Sequence, residues 1–412
     1  MKQIVPVMAA PLALVPFLVF GIDASDRAAP AAPIPTGTAE PQVVPAKTWA
    51  TVFHGYAFLN ANRQGGDSGE QDFESQNHLM VAATRTTGRG ALELLGTFTA
   101  EPMTIQPLGS PDLFQRGETY RGSLLIDRQH PHDLFVQLAA RWSPESTSRA
   151  RFWLYVAPVG EPALGPTAYV HRASAAMNPA APLAHHNQDS THISSDVLTV
   201  GTEIGLFDVE ASSFHGREPD ENRWNVDQGR PDSCAGRVSF RPADGLVIQV
   251  SAGRREHPEA LEAGDQTRQT VSIEYAKPTV GGSIAASLIV GRNLLEGGQR
   301  EWGNTLEATW KFARWNTVYG RAERVDRDLY ELLNKQQRPQ TVPPRRTAVG
   351  ALTLGYARDL PLLSEAETAL GAGLTLYRFD DRLDPAYGDW PVSAQVFLRV
   401  GFGSRGMDHH HH

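Results

Sequence analysis

Lysine is nearly missing from this 412-residue chain: Lys2, Lys47, Lys277, Lys311 and Lys335 are the full set, so arginine supplies the other 33 cations. Acidic residues number 46 and the net charge is -8, which leaves no clustered basic surface to follow a nucleic acid. No nucleic-acid partner is expected. Cysteine occurs once, at Cys234, which excludes a disulfide framework and any Cys-rich metal site. Beyond the N-terminus no run reaches the roughly 20 apolar residues that a membrane helix needs, so a polytopic helical membrane protein is excluded. The mean hydropathy of -0.33 does not exclude a membrane β-barrel, whose strands alternate apolar and polar residues. Helical periodicity is scarce as well: the candidate turn over residues 328–335 (DLYELLNK) is too short to build a domain.

The N-terminus offers Lys2, an apolar run from Ile4 to Ile22, and small residues around Ala24 to Ala29. This is the pattern of a secretory signal peptide, expected over residues 1–29. Pro6, Pro11 and Pro16 argue against a transmembrane anchor, since each removes a helical hydrogen bond. An Ala/Pro-rich leader, predicted to be disordered, fills residues 30–47.

From Trp49 onward the dominant period is two. Val238 and Phe240 lie opposite Arg237, Ser239 and Arg241; Leu246, Ile248 and Val250 lie opposite Gln249 and Ser251. Leu306, Ala308 and Trp310 alternate with Glu307, Thr309 and Lys311, and Leu370, Ala372 and Leu374 with Gly371 and Gly373. Such alternation predicts strands with one apolar face. Links of two lengths separate them. Short links fall at 86–90, 143–149, around Gly205, 242–245, 277–282, 313–316 and 358–366. Long polar links fall between them at 62–75, 101–131, 159–194, 215–232, 255–267, 292–302, 326–345 and 379–390. A β-sandwich also alternates, but has no reason to sort its loops by parity. The pattern predicts an all-β protein over residues 48–402: a transmembrane, antiparallel, up-and-down β-barrel of about 16 strands, with short periplasmic turns and long extracellular loops. Trp49, Trp142, Trp302, Trp315 and Trp390 fall at strand ends, where an aromatic girdle belongs. Gly350, Gly355, Gly371 and Gly373 are expected on a wall that needs little interdigitation.

The last strand, 392–402 (VSAQVFLRVGF), places Val396, Leu398, Val400 and Phe402 on one face. Here the chain resembles the porin-like β-barrels of Gram-negative outer membranes, whose final strand usually ends in an aromatic residue. That resemblance implies residence in the outer membrane, lipid around the wall, and reading of the strand ending at Phe402 by the barrel-assembly machinery. Phe402 is not terminal: a tail over 403–412 ends in His409 to His412, either the remains of a purification tag or a natural metal-scavenging end. The segments DRQHPHDLF (127–135) and GREPDENRW (216–224) are similar to those of a family of predicted bacterial outer-membrane proteins.

About 16 strands are enough to enclose an aqueous channel. Its lining would carry Arg237, Arg241, Glu274, Glu307, Lys311, Arg321 and Glu323, charges of both signs that bias which solutes pass or pair across the wall. Histidine is the sharper signal. His130, His132, His171, His185, His186, His192 and His215 crowd one stretch, interleaved with Asp127, Asp133, Asp189, Glu218 and Asp220. Imidazole with carboxylate suits Zn²⁺, Cu²⁺ or Ni²⁺, although no fixed metal motif is present. Nothing requires a cofactor. Asp189, Ser190 and His192 suggest a hydrolase, but neighbours in an extended segment point to opposite sides, and there is no GxSxG elbow. No enzyme is expected. The sequence therefore supports a porin-like channel for passive passage of small hydrophilic solutes. The alternatives are a His-rich metal-binding or metal-transport barrel, and a structural barrel plugged by its two longest links, 101–131 and 159–194.

Overall fold

The computed structural model describes residues 48–261, 264–333, 346–363 and 366–403. The predicted signal peptide, the leader and the histidine tail lie outside them. Period-two alternation becomes strand nearly everywhere. The wall opens with β1 (Ala50–Arg63), β2 (Gln71–Glu74), β3 (Asn77–Thr87) and β4 (Gly90–Phe98). A hairpin of β5 (Ser110–Tyr120) and β6 (Ser123–Gln129) stands apart as its own two-stranded sheet. The wall resumes with β7 (Phe135–Pro144), β8 (Ala150–Gly160), β9 (Ser194–Ile204) and β10 (Phe207–His215). It continues through β11 (Ser233–Ala243), β12 (Leu246–Arg255), β13 (Gln266–Thr279), β14 (Gly282–Leu295) and β15 (Arg300–Phe312). The last strands are β16 (Asn316–Asp328), β17 (Arg346–Asp359), β18 (Glu367–Arg378) and β19 (Val392–Gly403). Each wall strand pairs antiparallel with its sequence neighbour, and β19 closes on β1 through pairs such as Leu59 with Leu398. Because β2 and β3 both pair with β1 end to end, they act as one broken strand, and the closed barrel has 16.

Burial runs opposite to that of a soluble protein. Leu306 is 51% exposed, while its chain neighbours Thr305 and Glu307 are 0% and 1% exposed. The same inversion exposes Val250 between buried Gln249 and Ser251, and Leu352 beside buried Thr353. A girth of outward Leu, Val and Ile this continuous is stable only where lipid covers it.

Short turns gather at one end: residues 88–89, 145–149, 205–206, 244–245, 280–281 and 313–315, with residues 360–363 after β17, the start of β1 and the end of β19. The long links stand at the other end, with one correction; of the link expected over 326–345, residues 334–345 lie outside the described residues. The link expected over 292–302 is only residues 296–299, because β14 and β15 keep pairing to Leu294 and Arg300. Gly298 takes φ +77° there and closes the turn by donating to Leu295 O at 2.8 Å. The tryptophans sit at strand ends as expected, with Arg85 over Trp49 and Arg292 over Trp302.

The expectation of a loosely packed wall fails for two glycines. A side chain at Gly355 would overlap the Tyr319 ring, and one at Gly371 the Phe397 ring. Phe58, Tyr319 and Phe397 pack together inside the barrel, so the interior interdigitates and glycine makes the room.

Candidate channel site

The two longest links fold inward and fill the lumen. Residues 161–193 carry few large apolar side chains, so this segment cannot form a core of its own. It is fastened instead by hydrogen bonds between its backbone and the polar inner face of the wall. Ser212 Oγ accepts from Ala163 N at 2.7 Å and Ser251 Oγ from Gly165 N at 2.8 Å. Thr309 donates to Ser174 O at 2.7 Å, Arg321 to Ala180 O at 2.9 Å, and Arg327 to Leu183 O at 2.6 Å. Arg268 and Asn293 both donate to His186 O, at 2.6 and 2.9 Å. On the facing wall Tyr56 donates to Val170 O at 3.2 Å, and Met177 packs against the Phe58, Tyr319 and Phe397 cluster. The segment therefore spans the lumen from wall to wall. The β5–β6 hairpin enters beside it: Asn62 donates to Pro111 O at 2.7 Å, Arg327 to Phe114 O at 2.8 Å, and Gln115 to Pro182 O at 2.9 Å.

The predicted lumen charges are bound up in this packing. Glu307 accepts from Arg172 Nε on one oxygen and from Arg321 Nε at 2.9 Å on the other, and Arg172 also reaches Asp189 at 2.9 Å. Glu274 accepts from Thr167 N at 3.3 Å, and Arg237 grips Glu210 and, at 2.9 Å, Glu161. Glu323 lines a small cavity with Asp112, Arg321 and Leu183. Towards the short-turn end, Arg241 pairs with Asp208, and Lys311 with Asp359 at 2.7 Å.

Of the ten residues predicted as metal ligands, five meet. His132, His192, His185, His186 and His130 form a ring whose successive centroids lie 5.2, 5.3, 5.1, 5.8 and 6.0 Å apart. Tyr169 lies against His132, His185 and His192. Oxygens hold the ring's Nδ1 atoms: Asp189 Oδ1 at His185 (2.7 Å), the Asp189 carbonyl at His192 (2.8 Å) and Glu101 Oε2 at His132 (2.8 Å). Asp189 thus orients the ring. The other four predicted residues stand elsewhere. His171 packs on His78 with centroids 4.8 Å apart, and His215 meets Asp232 at 3.1 Å. Asp127 accepts from Phe114 N at 2.6 Å, and Asp133 pairs with Arg223 at 3.1 Å. Sequence reading missed Glu101, Tyr169, His78 and Arg172, which come from scattered positions with no local signal.

Burial sets the charge state of the ring. It lowers His185 to about 4. It lowers His192 as well, with His132 and His185 adding to the effect. Burial also lowers His130, reinforced by Arg223 and His186. At His132 burial is outweighed by Glu101, which raises the imidazole above its ordinary value.

Residues 185–192 are not the extended segment expected from the sequence. They form a helical turn, His185–Gln188, followed by a 3₁₀ turn, Ser190–His192. Ser190 Oγ nevertheless donates to Glu218 at 3.1 Å and accepts from Arg268 at 3.0 Å. It is committed to an anchoring network.

No family model and no curated protein matches the chain. Solved structures do. OprB of Pseudomonas putida, in its high-pH structure, aligns with a TM-score of 0.53 at 10% identity, over 86% of this chain and 94% of that one. OmpF of Salmonella typhi, solved with daunomycin, aligns with a TM-score of 0.50 at 9% identity, over 85% of this chain and 97% of that one. With 16 antiparallel strands, an apolar outer surface and loops sorted by length, the chain has the fold of the outer-membrane porins.

Proposed function

We propose that this protein is a porin-like conduit of a Gram-negative outer membrane that rests closed and passes small hydrophilic solutes when residues 161–193 withdraw. The observation that carries this reading is the burial of the wall's polar lining. Thr270, Ser272, Ser287, Thr305, Glu307 and Arg321 are all 3% exposed or less, although they face a barrel wide enough to hold water. Polar atoms line the lumen, and a polar segment covers them through hydrogen bonds that water could replace. Membrane insertion follows from the apolar outer wall, and β19, with Phe402 on its outward face, is the strand offered to the assembly machinery.

Planar-bilayer recording tests the reading. Replacing residues 166–190 with a short Gly/Ser linker keeps every wall pairing and should raise single-channel conductance at least tenfold over the parent. Heat-modifiable migration on a gel reports that the barrel has formed. A folded linker variant as silent as its parent would leave a structural barrel plugged for good, and would remove the transport reading.

A further inference from the structure

We infer that His186, Glu218 and Glu259 form a site for one divalent transition-metal ion of the zinc class, tying the lumen segment to two outer loops. Each residue offers a ligand atom, and these atoms all lie within 4.8 Å of one another; among the described residues this is the group that meets that spacing. Zn²⁺ bonds of about 2.1 Å in a tetrahedron place donors about 3.4 Å apart, so closure needs side-chain adjustments of about 1.4 Å.

A second observation points to a ligand. Glu218 is 9% exposed, and its Oε2 is buried with no hydrogen-bond partner, as is Nε2 of His186. A carboxylate oxygen and an imidazole nitrogen, each shut away from water without a hydrogen-bond partner, lack what a cation supplies. The other groups are already placed. Glu218 Oε1 accepts from Arg255 at 3.0 Å and from Ser190 at 3.1 Å, which aims Oε2 at His186 Nδ1, 3.6 Å away. Arg268 and Asn293 hold the His186 backbone, so the ring is carried by a fixed support.

The donor set selects the ion. One imidazole and two carboxylates, with Arg255 already on Glu218, suit Zn²⁺ with a water in its fourth position. Ca²⁺ wants six or more oxygens and Mg²⁺ an octahedron largely of oxygen. This set keeps His186 of the ten residues predicted as ligands, takes Glu218 from the acids interleaved with the histidines, and adds Glu259, which the sequence did not single out. The ligands come from the lumen segment (His186), from the link after β10 (Glu218) and from the link after β12 (Glu259), so one ion would bridge all three. Its effect on opening rests on the gated-conduit reading; its binding does not.

Calorimetric titration with Zn²⁺ tests the site, using the full chain with His409 to His412 each replaced by alanine so that the tail cannot mask it. The expected result is one ion per barrel, with affinity reduced at least tenfold in both Glu259→Gln and Glu218→Gln. Glu259→Gln changes a partly exposed loop residue and keeps the wall, which heat-modifiable migration verifies. His132→Ala, on the far side of the imidazole ring, should titrate like the parent. Absence of binding in the alanine-tail protein, or full-affinity binding by folded Glu259→Gln, overturns the proposal. A linker variant silent in bilayers would remove the gate and leave this titration unaffected.

Discussion

At the scale of single residues, Glu307 shows what filling the lumen does to a charge. On a wet wall its pairs with Arg172 and Arg321 would be worth at most about 1 kcal/mol. Here its side chain and that of Arg172 are each 1% exposed, and that of Arg321 2%. Removing one partner from such a group strands the others in a poorly solvated place, at a cost of about 3–5 kcal/mol. Because Arg172 belongs to the lumen segment while Glu307 and Arg321 belong to the wall, the loss falls on docking of the segment. Glu307→Ala is therefore expected to leave the barrel heat-modifiable while exposing residues 161–193 to protease and raising conductance. Arg241→Ala is the contrasting case. Its side chain is 35% exposed, and its loss should change stability by less than about 1 kcal/mol. Equal protease resistance of the Glu307 and Arg241 variants would show that the buried triad does not hold the segment.

At the scale of elements, the lumen segment carries a pH dependence through its histidines. While the segment is docked, burial holds His192 well below 6.5; once freed, it returns to about 6.5. Below pH about 6.5 the released form binds more protons, so acid favours release. His132 and the Glu101 that raises it both lie outside the segment, so this pair stays together when the segment leaves. It therefore adds nothing further on the acid side. Conductance of chelator-treated protein should rise as pH falls from 7 to 5, and His192→Asn should flatten the rise. An increase on the alkaline side instead would reverse the assignment. The strands around this segment were legible in the sequence. Leu306 against Glu307, or Val250 against Ser251, states which face meets lipid, because a wall strand needs no partner beyond its neighbours to fix its two sides. The gate was not. Arg172 finds Glu307 135 positions away, and Gln188 finds Thr305 117 away. The turn over His185–Gln188 has no apolar stripe to announce it, since wall polar groups rather than a core hold it. Histidine crowding pointed to the right stretch, yet only the fold separates His185 and His192 from His171 and His215.

At the scale of the whole molecule, the barrel is turned inside out relative to a soluble protein, and its stability should depend on lipid in a position-dependent way. Leu306 sits midway along β15, opposite Leu288 at the middle of β14, and both are exposed on the outer surface. Arginine at such a depth costs about 2–4 kcal/mol in a bilayer, falling to about 0–1 kcal/mol near the interfaces. Leu363, 54% exposed just beyond the end of β17, supplies the shallow comparison. Urea unfolding from lipid vesicles should find Leu306→Arg destabilised by about 2–4 kcal/mol and Leu363→Arg by less than about 1. The two changes add the same charge to surfaces of similar exposure, so only the surrounding medium separates them. In a protein bathed in water both would be nearly neutral, because an exposed leucine contributes little there. Matching effects at the two positions would therefore count against the bilayer itself, and with it against a conduit of any kind, open or closed.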